Sequence, residues 1–156
     1  MFRSLREYRP DDFVKLTLDD NCDRYTGFKF KEGLNIDIYP LSKDECDKGG
    51  FCFCRYRDIN YWFRRYYDAR IWRVKIPDGE KVIDYGNKLK AHKIMLYDCR
   101  NFYEIDELCQ LAVGACPYFM EYVRVKTPLL CQIAIDNRNI LPVRNYIKKF
   151  GLLIMD

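Results

Sequence analysis

Apolar and polar residues alternate in short runs through the first hundred residues, then recur every third or fourth position toward the C-terminus. The first rhythm belongs to strands with one buried face, the second to helices. Phe13-Val14-Lys15-Leu16-Thr17-Leu18 alternates loosely and predicts a strand, closed by a turn at Asp19-Asp20-Asn21. Gly27 to Phe30 predicts a second strand, and Leu34-Asn35-Ile36-Asp37-Ile38 a third. A polar loop from Ser42 to Gly50 leads into Phe51-Cys52-Phe53-Cys54, a short strand. Asp58 then caps the one clear helix of this region, with Ile59, Trp62, Phe63 and Tyr66 forming its apolar stripe. Ile71 to Ile76 predicts a strand with Trp72, Val74 and Ile76 on one face and Arg73 and Lys75 on the other. Pro77-Asp78-Gly79 turns the chain, and Lys81–Tyr85 and Lys90–Leu96 add two more strands.

From about Glu104 the spacing becomes helical. Asp106 opens a helix ending near Gly114, and Pro117 to Val125 predicts a second. Thr127 followed by Pro128 is a favourable start for a third, and Pro142 lies early in a fourth that ends at Gly151. Leu108-Cys109-Gln110-Leu111-Ala112-Val113 recurs 22 residues later as Leu130-Cys131-Gln132-Ile133-Ala134-Ile135. A repeat of that length points to stacked helical units that bury an apolar face against each other. The expected fold class is therefore α+β: a mostly antiparallel sheet domain with one main helix, followed by a C-terminal all-α module of two helical hairpins. Residues 1–12 are expected as a flexible arm, 13–100 as the α+β domain, and 101–156 as helical-hairpin repeats packed on it.

Composition narrows the function. Aromatic residues make up 16% of the chain and hydrophobic residues 49%, the signature of a packed protein and not of a disordered one. The net charge of +4 is too weak to imply nucleic-acid binding by itself. No apolar run approaches the ~18 residues of a membrane span, and the N-terminus lacks the apolar core of a secretory leader. The eight cysteines are therefore expected as intracellular, reduced thiols, with a disulfide framework the weaker reading.

Candidate chemistry is sparse. His92 is the single histidine and has no nucleophile elbow or paired cysteine near it in sequence, so it is expected as a partly buried structural residue. Cys46, Cys52 and Cys54, with Cys22 as a fourth ligand, invite a zinc reading, but paired Cys-x-x-Cys knuckles are missing. Small buried hydrophobes are the favoured reading, and no metal or cofactor is expected. Lys48-Gly49-Gly50 lacks the Gly-Lys-Ser/Thr that a phosphate loop needs and is expected as a turn. Between residues 55 and 73, arginines interleave with tyrosine and tryptophan. Trp62 and Tyr66 belong to the apolar stripe. Tyr61, Arg64 and Arg65 are left on the outer face, and with Arg70 and Arg73 they are the expected contact residues for a macromolecule. Arginine with tyrosine is the favoured composition of protein-binding surfaces, and it also suits phosphate contact with base stacking.

Gly27, Phe28, Gly33, Leu34, Asn35, Asp37, Cys46, Gly49 and Gly50, with Pro77, Ala91, Lys93 and Ile94, carry a resemblance. The segments that hold them resemble a small α+β domain of uncharacterised proteins from giant, amoeba-infecting DNA viruses, often found before ankyrin or short helical-hairpin repeats. The Leu-Cys-Gln repeat is similar to hairpin repeats of the same viruses. This chain has no ankyrin array, and His92 stands where an acidic residue is expected. The resemblance implies a viral origin, a setting in host cytoplasm or nucleus or in the virion, and no particular reaction. The expected function is a non-enzymatic viral protein that binds a host or viral protein. The alternatives are nucleic-acid binding through residues 55–73 and an enzyme of unrecognised type with a cleft in the α+β domain. The apolar tail from Phe150 to Met155 is expected to dock on its own chain, with a homodimer through this end as the alternative.

Overall fold

The computed structural model describes residues 7–45, 47–66, 69–137 and 141–152, without the side chains of Arg64 and Leu141. Two compact units divide the chain, residues 1–100 and 101–156. Alternation in the first unit resolves into seven strands: β1 (Phe13–Leu18), β2 (Gly33–Ile36), β3 (Phe51–Arg55), β4 (Ala69–Lys75), β5 (Val82–Asp84), β6 (Leu89–Ala91) and β7 (Lys93–Asn101). They form one sheet in the order β2-β7-β4-β1-β3-β6-β5, and each pairing of defined register is antiparallel.

The central strands β1, β3 and β4 are buried on both faces, which explains why they are apolar nearly throughout, whereas β2 and β7 expose alternate residues. On one face Phe30, Phe51, Phe53, Trp72, Val74, Leu89 and Ile94 form a continuous cluster. Full burial of side chains of this size contributes about 1.5–3 kcal/mol each. Alternation sends Val14, Leu16, Cys54 and Ile71 to the other face, and these are buried too.

β1 is the pivot of the sheet. It pairs with β4 over the whole run from Val14↔Arg73 to Leu18↔Ala69. With β3 it pairs only at Phe13↔Arg55 and Val14↔Cys54. Beyond Val14 the two central strands part company.

Several expectations need correction. The main helix expected at 58–66 is a string of short pieces: a 3-10 turn at Tyr56–Asp58, α1 (Ile59–Trp62) and a second 3-10 turn at Phe63–Arg65. Bulky aromatics lose rotamer freedom in a helix, and Asp58 makes no capping bond with its side chain. Tertiary anchors set the path instead. Ile59, Phe63 and Tyr66 are buried, and the Trp62 indole donates to the Asn87 carbonyl at 2.9 Å. The strand expected at 27–30 is reduced to an isolated bridge, Cys22↔Lys29. The single strand expected at 90–96 is two, β6 and β7, broken at His92.

The expected C-terminal all-α module of two helical hairpins is overturned. Among the described residues the fold is a seven-stranded sheet with four short helices, and one of these, α1, lies among the strands. The second unit contains α2 (Asp106–Ala115), α3 (Pro128–Asp136) and α4 (Arg144–Phe150), linked through 3-10 turns. The helix expected at 117–125 is one of those turns, Pro117–Glu121. Cys116 is extended before Pro117, so the chain re-enters with too few residues before Tyr122 to propagate an α-helix. The repeated hexads themselves serve as core. Leu108, Cys109, Ala112 and Val113 of α2 and Leu130, Cys131, Ala134 and Ile135 of α3 are all buried, and the two helices pack together. Thr127 caps α3 by accepting from the Leu130 N–H at 3.2 Å, and Gly151 ends α4 in the left-handed conformation. Among the described residues no helix is long and apolar enough to cross a membrane.

Candidate functional site: a cleft where the sheet splits

The parting of β1 and β3 opens a cavity of about 730 Å³ within the first unit. Val14–Leu16 of β1 form one wall and Phe51–Cys54 of β3 the other. The loops around Asp23–Phe28, Asp37–Tyr39, and Glu45 and Asp47–Gly50, with Trp62, Arg65, Tyr66, Lys88 and Lys90, complete the lining.

At the fork sits Lys15, whose side chain is 3% exposed. Its ammonium donates to the Cys52 carbonyl at 2.6 Å, a group of β3 facing the gap where ladder pairing with β1 has ceased. It also lies 3.8 Å from Asp23 Oδ2 and 4.7 Å above the Phe30 ring. Burial alone would raise the Asp23 carboxyl, but the Lys15 charge and the N–H groups of Thr26 and Tyr25 outweigh it, holding Asp23 below the usual carboxylate range. Those two amides donate to Asp23 Oδ1 at 2.9 and 2.8 Å, so the turn that presents the carboxylate is built by the carboxylate itself.

A second buried lysine shapes the roof. Lys90 of β6 is 1% exposed, and its ammonium donates to the carbonyls of Ser42, Asp44 and Asp47 at 3.3, 2.8 and 3.0 Å. All three N–H donors are thus spent on the polar loop that lines the cleft. Gly49 and Gly50 both have positive φ, and a Cβ on Gly49 would stand 2.0 Å from the Pro40 carbonyl oxygen. Only glycine fits there. Asp37 ties the same loop down, accepting from the Gly50 N–H at 2.8 Å and from the Tyr39 N–H at 3.1 Å.

Tyr66 is buried against the cleft, and burial first, then the Asp23 charge, raises its hydroxyl well above the ordinary value. Cys54 also lines the cleft, and burial pushes its thiol up to about 12. It is therefore a protonated, inert thiol at neutral pH. Near the mouth, the Lys48 ammonium lies 5.5 Å from the Tyr39 ring centre. The Arg65 guanidinium lies 5.4 Å from the rings of both Tyr61 and Trp62.

The four expected contact residues whose side chains are described do not share one surface. Tyr61 is 52% exposed and stacks with Arg65. The Arg64 side chain lies outside the described residues. Arg70 and Arg73 are three apart on β4, so they point to opposite faces of the sheet. Arg70 donates to Asn21 Oδ1 at 3.3 Å. Arg73 binds Asp98 at 2.8 Å and Asp12 at 3.3 Å, and caps the Tyr8 ring at 4.3 Å. Tyr8, within the segment expected as an arm, is 1% exposed and stacked on Tyr56.

Of the cysteines in the zinc reading, Cys46 lies outside the described residues. Cys22 sits by the bridge to Lys29, apart from β3, where Cys52 and Cys54 share one face. Among the described residues no three His, Cys, Asp or Glu side chains converge to hold a metal. His92 is half-buried, with Nδ1 3.0 Å from the Tyr39 carbonyl. Asn35 spends its side chain on the turn before β2, bonding the Lys31 N–H and the carbonyls of Lys31 and Gly33. The tail beyond Leu152, where self-docking or a dimer was expected, lies outside the described residues.

Sequence reasoning missed Lys15 and Lys90. Each sits in a strand run otherwise rich in apolar residues, and that was the available signal. No protein-family model, curated protein or solved structure matches this chain.

Proposed function

We propose that the first unit is a binding domain for a small organic ligand, taken up in the cleft between β1 and β3. The observation that carries this reading is Lys15. Lysine is almost never fully buried unless it is paired, because desolvating an ammonium costs several kcal/mol. Here an ammonium with three donors makes one hydrogen bond among the described residues, its ion pair with Asp23 is long at 3.8 Å, and it sits at the wall of a 730 Å³ cavity. That volume falls in the range of about 300–1,000 Å³ typical of ligand pockets, and the lining mixes rings with a few polar groups as such pockets do. Binding is favoured over covalent chemistry because Cys54 is held as a thiol and the single histidine is engaged with a backbone carbonyl.

The test is a fragment screen on the full chain, read by amide chemical shifts. Fragments should move the amides of Val14–Leu16 and Phe51–Cys54 together, and Lys15→Met should weaken the binders. A broad screen whose hits leave those two segments unmoved removes the proposal.

One observation favours a second reading, contact with a host or viral protein. Tyr61 is exposed and Arg65 lies across it, a pairing that is pre-ordered and presents both a ring and a guanidinium. Arg65→Glu with Tyr61→Ala should then release a captured partner, and retention of every partner by the double variant removes this reading. Binding through the same pair to nucleic acid would fall steeply with added salt, which separates it from a protein partner.

A further inference from the structure

We infer that the cleft selects a ring-bearing organic anion, an inference that rests on the ligand-binding reading above. Among the described residues, three of the four carboxylates lining the cleft are committed, and the fourth, Asp47, lies on the exposed loop. Asp23 accepts from two backbone amides and faces Lys15. Asp37 accepts from two more amides, and Glu45 is paired with Lys88 at 3.5 Å. A carboxylate satisfied in this way offers little to a cationic ligand.

The cations are distributed differently. Lys90 is saturated by three carbonyls. Lys48 and Arg65, by contrast, have no carboxylate within ion-pair distance among the described residues, and each is held against aromatic faces. Lys15 retains donors inside the cleft. Lys15 is matched by Asp23, and among the described residues Asp47 alone stands against Lys48 and Arg65, so the unmatched charge of the cavity is positive at its mouth. A guanidinium or ammonium resting on a ring is already partly desolvated and positioned, so it meets an anion at lower ordering cost than a free surface side chain.

The remaining lining is aromatic. Phe28, Phe51, Phe53, Trp62 and Tyr66 all line the cavity. Rings pack against rings by offset or edge-on contact, so a flat ring system suits these walls better than a flexible polar chain. A phosphate, sulfonate or carboxylate on that ring would be met by Arg65, Lys48 or the free N–H of Lys15.

The experiment uses matched pairs that differ only in charge: AMP and adenosine, indole-3-acetate and indole-3-acetamide, naphthalene-2-sulfonate and naphthalene-2-sulfonamide. Binding to the full chain is measured by calorimetry and located by amide shifts. The charged member of at least one pair should bind about tenfold or more tightly than its neutral twin, as expected for a charge-assisted contact. That preference should shrink in Lys48→Gln and Arg65→Gln and persist in the control Tyr118→Ala, at an exposed residue of the second unit. Neutral members binding in the cleft as well as charged ones in all three pairs would overturn the inference and leave the cleft reading standing. Charged members that bind better but shift no cleft amide would overturn the inference too. Failure of all six probes, together with a fragment screen that leaves β1 and β3 unmoved, would remove both.

Discussion

Replacing Lys90 by Met is the sharpest test of how the roof of the cleft is held. Methionine keeps the unbranched stem, so packing beside Gly50 and Cys52 is retained while the ammonium is lost. The variant forfeits three hydrogen bonds, at 2.8, 3.0 and 3.3 Å. A hydrogen bond to a charged group contributes about 1.5–3 kcal/mol when both partners are buried. Asp44 and Asp47 lie on an exposed loop, so water replaces much of what their carbonyls lose. The variant is also relieved of burying an ammonium. Taking the low end for each bond and subtracting that relief leaves a net loss of about 2 kcal/mol, or about 4–8 °C in Tm for a chain of this size. The assay is paired: thermal melting for the global effect, and amide hydrogen exchange at Gly49 and Gly50 for the local one. Exchange should accelerate there before it does in β1 or β4, because the loop loses its tether while the sheet keeps its ladder. A variant as stable as the parent, with unchanged protection at both glycines, would refute the claim that Lys90 organises the loop.

Three further outcomes are expected. Asp23 is held below the usual carboxylate range, so the stability it contributes is full above its unfolded value of about 4 and is lost as pH falls through its folded value. Asp23→Asn should flatten the acid limb of urea midpoints measured from about pH 6 down to pH 2. Cys54 is pushed up to about 12, so its contribution is complete below about pH 8.5 and disappears as pH rises toward 12; Cys54→Val should shallow the alkaline limb, and Cys54 should be alkylated later than the half-buried Cys22. Thr127→Ala removes the cap of α3 and should cost about 1 kcal/mol in chemical denaturation, while Thr127→Ser should cost far less.

Much of the fold was legible because local rules and tertiary structure agree in it. β1, β3 and β4 appear where alternation placed them, and the Thr127 cap and Gly151 terminator act as their residue types predict. The misses have physical causes. Residues 56–66 carry an apolar stripe but few strong helix formers, so the stripe is buried without a continuous helix. Residues 117–125 begin at Pro117 after an extended cysteine, and only a 3-10 turn forms. Of the expected contact set, Arg73 looked free because its partners, Asp12 and Asp98, are 61 and 25 residues away in sequence.

The cleft was illegible for a deeper reason. A cavity of this kind arises from a pairing that stops, and hydrophobic periodicity reports which face a residue takes, not how long two strands stay joined. β1 is bonded to β4 through Leu18 but leaves β3 after Val14, and neither strand's own composition encodes that difference. What does carry a trace is the lysine at the fork. In a β1 whose neighbours are Val14 and Leu16, a lysine at position 15 is ordinary if its face meets water, and costly if that face is buried. β1 is central in the sheet, so the second case holds. Its ammonium must then find its partners inside the protein, and the one carbonyl it bonds is Cys52, on the strand that has pulled away. Closing the sheet over Lys15 would return that carbonyl to the ladder and strand the charge. Keeping the lysine buried and keeping the cleft open are therefore the same structural choice. Lys15→Met should accordingly loosen the fork only if the ammonium holds it, which amide exchange at Cys52 and Phe53 reads directly: faster exchange supports the coupling, and unchanged or slower exchange refutes it.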